Sequence, residues 1–140
     1  MIAVVDASVV LKWFLQETDS AEAMRLRERH LRGDLLLTAP DLLLYEVGNA
    51  LRFKQDFTTT GIQEALSDLL HFQLELIVPT EHVLHHAVHL ARLSKLTYYD
   101  CCYLAVAVDL GTRVITADQR LQLAAGKLAP VTLLNAMNAP

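Results

Sequence analysis

Apolar and polar residues alternate along the chain in blocks whose lengths and spacing distinguish strands from helices. Short apolar runs, rich in β-branched residues, predict buried strands at 2–5, 35–38, 74–78, 113–116 and 131–134. Between them, apolar residues recur at helical spacing and predict helices near 7–14, 19–33, 41–54, 60–70, 81–93, 101–110 and 118–123. Strands that alternate with helices form a mainly parallel sheet with helices on both faces. We therefore expect one α/β domain over residues 1–140, a three-layer α/β/α sandwich with a mainly parallel central sheet.

Polar residues at the predicted helix ends indicate where these helices begin and stop. Asp19 with Glu22, and Thr60 with Gln63, have the spacing of a capping box, in which two side chains satisfy free backbone N–H groups. Gly33 is typical of the residue that follows a helix. The pattern therefore predicts helix boundaries at these positions.

Three aspartates lie where predicted strands and helices meet. Asp6 follows the first strand and Asp118 the fourth, so both belong to the carboxyl edge of the sheet, where open α/β folds bind ligands. Asp100 begins the apolar helix before the fourth strand, where the helix dipole favours an anion. Because aspartate is also a favoured N-cap residue, helix capping is an alternative role for Asp6 and Asp100.

Glu46 is a fourth acid in an unusual position. At about 100° per residue it falls inside the apolar arc of its helix, and Asn49 borders that arc. An inward carboxylate is costly unless it is paired, hydrogen-bonded or bound to a metal ion. Glu46 is therefore predicted to have a functional role.

Four acids able to converge on one sheet edge suggest a particular chemistry. Two carboxylates about 5 Å apart repel by roughly 3 kcal/mol at an effective dielectric constant of about 20. A cluster of four would share protons or bind a hard divalent cation, and all-oxygen ligands favour Mg²⁺ or Mn²⁺ over zinc. The usual task of such a cluster is phosphoryl chemistry.

The segments around these acids resemble a known family. VVDAS, YEVGNAL, YYDCCYLAVA and ITADQRL resemble the PIN domain in order and spacing over essentially the whole chain, and in particular the VapC-type toxins of toxin–antitoxin pairs. The resemblance implies a set of catalytic, metal-binding acids: Asp6, Glu46, Asp100 and Asp118. It also implies polar residues that position ligands or substrate: Ser8, Asn49 and Thr116.

The same resemblance implies a function and partners. It implies an endoribonuclease that depends on Mg²⁺ or Mn²⁺ and cleaves structured RNA, usually tRNA or rRNA. It further implies inhibition by a cognate, VapB-like antitoxin, and small toxins of this kind are typically homodimers.

Composition limits these expectations only in part. The chain is 53% hydrophobic, with a net charge of −4, which argues against a protein that holds nucleic acid by bulk positive charge. Cys101 and Cys102 are adjacent within an apolar helix, so we expect free core thiols in a reducing cytoplasm. No apolar run reaches the length of a membrane span and no signal-peptide pattern is present, so we expect a cytoplasmic protein without a membrane partner.

Two further clusters have two interpretations each. Four arginines crowd the second predicted helix and are either a solvated face or a flank that contacts phosphate: Arg25, Arg27, Arg29 and Arg32. Four histidines share one face of another helix and are either solvent-exposed or a zinc site, with exposure favoured because no Cys or paired acid accompanies them: His82, His85, His86 and His89.

Two other functions compete with the ribonuclease. An aspartyl-phosphate phosphatase also has an acid after its first strand, but it needs a second acid two positions later, where this chain has Ser8. A catalytically silent PIN-like module that binds RNA or protein is the other alternative, and the intact acids weigh against it.

The first helix also offers a partner surface. Trp13 and Phe14 are adjacent, so they cannot both face the same core neighbours, and we expect one near the surface. An antitoxin segment is predicted to lie along this helix and to place a basic residue among the acids.

Overall fold

The computed structural model describes residues 1–138, in which five parallel strands form one sheet. The strands are β1 (Ile2–Val5), β2 (Leu36–Pro40), β3 (Glu75–Ile77), β4 (Val114–Thr116) and β5 (Val131–Leu133). Their spatial order is β3-β2-β1-β4-β5, and every neighbouring pair is parallel. The predicted α/β class, with a parallel sheet between helices, is confirmed.

Seven α-helices connect these strands within the part of the chain that the structure describes. They are α1 (Ala7–Leu11), α2 (Ser20–Leu31), α3 (Leu42–Leu51), α4 (Thr59–His71), α5 (Glu81–Leu93), α6 (Tyr98–Asp109) and α7 (Gln119–Ala125), and a 3₁₀ helix follows at Leu134–Asn138. Right-handed crossovers put the connections from β1 through β3 on one face and the β3-to-β4 connection on the other. Accordingly α1 packs on α3 and α3 on α4, while α5 packs on α6. None of the helices within residues 1–138 is long and apolar enough to cross a membrane.

Helix α6 is the central element of the core. Its residues from Cys101 to Ala107 are all buried, and it contacts β1, β2 and β4. A helix that is apolar on all sides must be covered on all sides, as its sequence predicted. Both cysteines are free and buried, and burial raises the pKa of each thiol.

The start of α2 differs from the predicted capping box. Asp19 has a left-handed backbone (φ 65°), and its side chain makes no capping hydrogen bond. Instead, Ser20 Oγ accepts a hydrogen bond from Glu17 N at 2.9 Å. Glu22 pairs with Arg25 at 2.7 Å rather than reaching back to the helix start. The turn before α2 therefore satisfies its own backbone groups, which the spacing alone did not reveal.

Two further boundaries shift by a few residues, and one is confirmed. Thr58, not Thr60, caps α4, because its hydroxyl accepts a hydrogen bond from Gly61 N at 3.0 Å. The second strand extends through Pro40, which is tolerated because it is the last residue of β2. Gly33 follows α2 with a positive φ of 82°, as predicted for a residue that ends a helix.

The chain reverses its direction of travel across the sheet between β1 and β4. From β1 the chain moves outward to β2 and β3, and it then returns to the opposite side of β1 as β4. Open α/β sheets bind their ligands in the crevice at the carboxyl ends of two such strands. Asp6 follows β1 and Asp118 follows β4, so both lie at this crevice.

Candidate functional site

Asp6 is a buried carboxylate held by hydrogen bonds at the carboxyl end of β1. Its Oδ1 accepts from Ser8 N at 3.0 Å, from Ser8 Oγ and from Val9 N at 3.4 Å, while Oδ2 accepts from Thr116 Oγ1 at 2.7 Å. Burial raises the pKa of Asp6 from 3.8 to about 6, although these hydrogen bonds favour the charged form and oppose the rise. Asp6 therefore caps α1 and is also available as a carboxylate at neutral pH.

Ser8 and Thr116 join the two halves of the crevice. Ser8 Oγ accepts a hydrogen bond from Ala117 N at 2.9 Å and lies 3.2 Å from Thr116 Oγ1. Thr116 Oγ1 also accepts from Asp118 N at 3.0 Å. The two hydroxyls thereby fix the backbone that carries Asp118 relative to Asp6, a role compatible with the positioning expected of them.

Asp118 has one oxygen bound to backbone and one facing outward. Its Oδ1 caps α7, accepting from Arg120 N at 2.8 Å and from Leu121 N at 3.2 Å. Its Oδ2 makes no hydrogen bond within the described residues and lies 3.8 Å from a guanidinium nitrogen of Arg120. Capping thus leaves one carboxylate oxygen of Asp118 free for a cation.

Asp100 is not the cap of α6. Thr97 is the cap, since its hydroxyl accepts a hydrogen bond from Asp100 N at 3.1 Å. Asp100 lies in the first turn, where the helix dipole favours a negative charge. Its Oδ2 lies 3.9 Å from the same Arg120 nitrogen that faces Asp118. The capping alternative for Asp100 is therefore wrong, and the carboxylate is directed at the crevice.

Glu46 reaches the site from α3 and is held by a tyrosine of α6. Tyr103 Oη donates a hydrogen bond to Glu46 Oε1 at 2.7 Å. Partial burial raises the pKa of Glu46, the hydrogen bond from Tyr103 opposes the rise, and the nearby charge of Asp100 adds to it. Burial, together with the negative charges of Glu46, Asp6 and Asp100, raises the pKa of Tyr103. Tyr103 therefore stays protonated and remains a permanent hydrogen-bond donor.

The acids share one neighbourhood without forming a closed ligand cage. The charges of Glu46, Asp6 and Asp100 all raise the pKa of Tyr103. The Arg120 guanidinium lies near both Asp100 and Asp118. Within residues 1–138, no three Asp, Glu, His or Cys side chains are arranged closely enough to hold a metal ion. The oxygen-only donor set suits Mg²⁺ or Mn²⁺, but its side chains must draw closer together to share one ion.

Asn49 lies at the margin of this site. Its side chain is exposed, and Asn49 Oδ1 accepts a hydrogen bond from Arg52 Nε at 2.9 Å. With Glu46, Tyr45 and Tyr99 it lines a shallow surface depression next to the acids. It is therefore placed to touch a bound molecule rather than to support the other site residues.

A groove leads away from the acids between α1 and α3. It has a volume of about 480 Å³, and its lining begins at Ser8 and Asp118 and includes Lys12, Phe53 and Lys54. Phe53 is 67% exposed, and the Arg52 guanidinium lies over its ring at 3.9 Å from the centroid. Cationic side chains and an exposed aromatic ring are groups that bind the backbone and bases of single-stranded nucleic acid.

Two residues of this site were not predicted from the sequence. Tyr103 is one of many apolar or aromatic residues in α6, and nothing local indicates that it bonds a residue of α3. Arg120 follows Asp118 by two positions, which is a visible signal, because a side chain in the first turn of α7 can fold back over the strand end.

The other polar clusters lie apart from the acids. His82, His85 and His89 are exposed, and two of them are near acids, His82 by Asp109 and His85 by Glu81. The exposure of these three side chains agrees with the predicted solvent-exposed face. Among the arginines, Arg25 and Arg32 form surface ion pairs, while Arg27 stacks on Phe72 at 4.8 Å from its centroid.

The sequence of this chain matches a known family. The profile of the PIN domain family matches residues 3–127, and the chain belongs to this family.

Individual relatives are consistent with that assignment. The chain is 29% identical over 128 residues to "Ribonuclease VapC3" of Pyrobaculum aerophilum, covering 86% of this chain and 92% of that protein. It is also similar in fold to the crystal structure of VapBC2 from Rickettsia felis bound to a promoter DNA fragment, with a TM-score of 0.73 at 12% identity over 95% of this chain and 98% of that one. The structure of VapC20 from Mycobacterium tuberculosis, a sarcin–ricin loop cleaving toxin, aligns with a TM-score of 0.70 at 17% identity over 89% of this chain and 95% of that one.

Proposed function

We propose that this protein is a VapC-type toxin, an endoribonuclease that depends on Mg²⁺ or Mn²⁺, cleaves structured RNA and is inhibited by a cognate antitoxin. The observation that carries the proposal is the crevice between β1 and β4, where Asp6 and Asp118 are tied together through Ser8 and Thr116. The names of VapC3 and VapC20, a ribonuclease and an RNA-cleaving toxin, support the same activity.

The acids have separable tasks in this proposal. Asp6, Asp100 and Asp118 would hold the cation together with Glu46, as oxygen ligands of the kind that Mg²⁺ and Mn²⁺ prefer. Such a cation, when bound, activates water as a nucleophile and stabilises negative charge on the phosphate. Tyr103 keeps Glu46 oriented, while Ser8 and Thr116 keep Asp6 and Asp118 in register.

The RNA would enter along the groove between α1 and α3. Lys12 and Lys54 line that groove, and both pair with Glu17, another lining residue, at 3.3 Å and 3.9 Å, so a passing phosphate would compete with Glu17 for these two cations. Phe53 offers an exposed ring on which an unpaired base can stack. Asn49 would contact the substrate on the other side of the acids.

The test is a cleavage assay on tRNA and rRNA with purified protein. We expect cleavage with Mg²⁺ or Mn²⁺, none with EDTA, and products that carry 5′-phosphate and 3′-hydroxyl ends. Asp118→Asn should remove the activity, whereas Asp68→Asn, at an exposed position of α4, should not. A 2′,3′-cyclic phosphate product would contradict this mechanism, and metal binding without cleavage would favour the silent binding module.

The partners belong to the same proposal. VapBC2 and its relatives are toxin–antitoxin structures, which supports an antitoxin partner for this chain. We further propose a homodimer, which sedimentation analysis of the purified chain would test.

A further inference from the structure

Arg120 is the cation that approaches the acids. One of its guanidinium nitrogens lies 3.9 Å from Asp100 Oδ2 and 3.8 Å from Asp118 Oδ2. Among residues 1–138, these are the salt bridges that involve the proposed catalytic acids. The arginine comes from the first turn of α7, whose start is fixed by hydrogen bonds to Asp118 Oδ1.

The contact is held by charge rather than by hydrogen bonds. Both distances exceed the range of an N–H···O hydrogen bond, and the Arg120 side chain is 67% exposed. Exposed ion pairs of this kind are weak, so the guanidinium can leave without disturbing the core. An arginine also keeps its charge at every physiological pH, so protonation changes cannot switch the contact off.

The two oxygens that face Arg120 are those that a divalent cation needs. Asp118 Oδ1 is committed to α7, so Oδ2 is the oxygen left for a metal ion. Asp100 Oδ2 is directed at the same place. A guanidinium and a metal ion cannot occupy this position together, so each must weaken the binding of the other.

We propose that Arg120 is a positioning residue with two states. In the metal-free protein its guanidinium neutralises Asp100 and Asp118, and when a divalent cation binds it moves off these carboxylates to hold a phosphate of the RNA. The inference rests on the proposed function, because it needs both a metal ion and an RNA substrate. Guanidinium groups bind phosphate oxygens well, and the exposed side chain has solvent into which to move.

The first experiment measures Mn²⁺ binding without RNA, by isothermal titration calorimetry on the purified full chain. Arg120→Gln should bind Mn²⁺ about fivefold more tightly than the wild type, since the competing charge is gone. Arg32→Gln is the matched control, because Arg32 is also 67% exposed and also pairs with an aspartate, Asp34 at 3.3 Å. The control removes the same charge elsewhere and should leave Mn²⁺ affinity within about twofold of the wild type.

The second experiment measures binding of a labelled RNA hairpin by fluorescence anisotropy, with Ca²⁺ in place of Mn²⁺ to slow cleavage. Arg120→Gln should bind the RNA several-fold more weakly, and its affinity should depend less steeply on salt, with a log–log slope shallower by about one. Arg120→Lys, which keeps the charge, should retain most of the affinity.

The outcomes separate this inference from the proposed function. If the wild type binds no Mn²⁺, the metal-dependent mechanism itself is overturned. If the wild type binds Mn²⁺ but Arg120→Gln matches Arg32→Gln, the counter-ion role of Arg120 is wrong. An unchanged salt slope in the RNA experiment would overturn the phosphate-binding state. Thermal melting of each variant checks that the fold is intact.

Discussion

At the scale of single residues, Asp6 is a feature of the site that costs stability, because its charge is buried. Asp6 as a residue is only 7% exposed, and within residues 1–138 its carboxylate relies on hydrogen bonds from Ser8, Val9 and Thr116 rather than on a positive side chain. Hydrogen bonds to a buried charge offset its desolvation only in part, which is why the pKa of Asp6 rises to about 6. A residue that merely capped α1 could do so at the surface, without this cost.

The raised pKa of Asp6 predicts how stability varies with pH. The native state binds the Asp6 proton more tightly than the unfolded chain, whose pKa is 3.8, so the benefit is complete below that pH. It is lost as the pH rises through about 6, and the free energy of unfolding in EDTA should fall by at most about 3 kcal/mol over this range. Urea unfolding at a series of pH values measures this slope.

The variant Asp6→Asn isolates that contribution. Asparagine keeps a capping oxygen but has no charge to bury, so its unfolding free energy in EDTA should not fall between pH 4 and 7 as that of the wild type does. Cleavage of RNA should nevertheless be lost. Parallel pH profiles for the two proteins would show that burial of the Asp6 charge costs nothing.

Tyr103 supplies a second prediction at this scale. Tyr103→Phe removes the donor to Glu46 and should lower the unfolding free energy by about 1–2 kcal/mol. Because Glu46 is then free to turn, cleavage should fall roughly tenfold. Tyr45→Phe, the same change at a 74% exposed site of α3, is the control for stability and should leave the unfolding free energy unchanged. Equal behaviour of the two variants would show that Tyr103 only fills space.

The sequence predicted the inward direction of Glu46 but not its partner. Helical periodicity within α3 places Glu46 among apolar residues, and this is local information. The hydrogen bond to Tyr103 spans 57 residues and depends on how α3 and α6 pack. The role of Arg120 was not predicted for a similar reason, because its contact with Asp100 depends on how α7 packs beside α6.

At the scale of elements, the start of α6 assigns the cap to Thr97 and leaves the Asp100 carboxylate available for the proposed metal site. Thr97→Ala removes the cap and should lower the unfolding free energy by about 1 kcal/mol, while the intrinsic cleavage rate of the folded protein stays near that of the wild type. Asp100→Asn should show the reverse, with stability within about 0.5 kcal/mol of the wild type and cleavage reduced more than about 100-fold. Chemical denaturation and single-turnover cleavage measure the two effects. If Asp100→Asn loses stability rather than activity, the role of Asp100 is structural.

The exposed face of α5 gives a prediction of no effect. Replacing His82, His86 and His89 together with Gln should leave RNA cleavage within a few-fold of the wild type, because these side chains lie apart from the acids. Cleavage rates with and without added zinc are the measurement. A large loss of cleavage in the variant, with zinc stimulating only the wild type, would show that the histidine face of α5 takes part in the reaction.

Element types were more predictable than element ends. The apolar runs and the helical spacing fixed the order of strands and helices, and α5 begins and ends as predicted at Glu81 and Leu93. The predicted cap residue was wrong where two candidates lie close together, as with Thr58 and Thr60, because backbone angles decide which hydroxyl reaches an N–H group. The left-handed backbone of Asp19 is likewise a property of the turn rather than of the residue type.

At the scale of the whole molecule, the account of the aromatic pair must be revised, because α1 ends at Leu11 and Trp13 and Phe14 lie in the turn that follows it rather than in the first helix as predicted. Trp13 is a core residue, 7% exposed, and its indole Nε1 donates a hydrogen bond to Ala23 O at 2.9 Å. Phe14 is only half-buried and stacks on Phe72 at a centroid distance of 6.2 Å. Of the two residues, Phe14 is therefore the candidate anchor for a partner, beside a groove of about 340 Å³.

An antitoxin that lies along this helix should respond to Phe14. In co-purification with its cognate antitoxin, Phe14→Ala should weaken the complex by more than about 1 kcal/mol, because a half-buried aromatic ring would lose its contact area. Leu93→Ala, at a 58% exposed position of α5 on the other side of the sheet, is the control. Wild-type affinity in the Phe14 variant would place the antitoxin elsewhere.

The parallel pairing of β1 with β4 also has a consequence for synthesis of the chain. Asp6 meets Thr116 across 110 residues of sequence, so β1 can pair with β2 early, but most of the chain must be made before its other neighbour, β4, exists. At about 5–20 residues per second, a ribosome takes roughly 5–20 s to make that intervening length. During that interval the nascent chain carries one half of the crevice and not the other. If the protein is the ribonuclease proposed above, every newly made copy therefore passes through a latent period in which it leaves RNA intact.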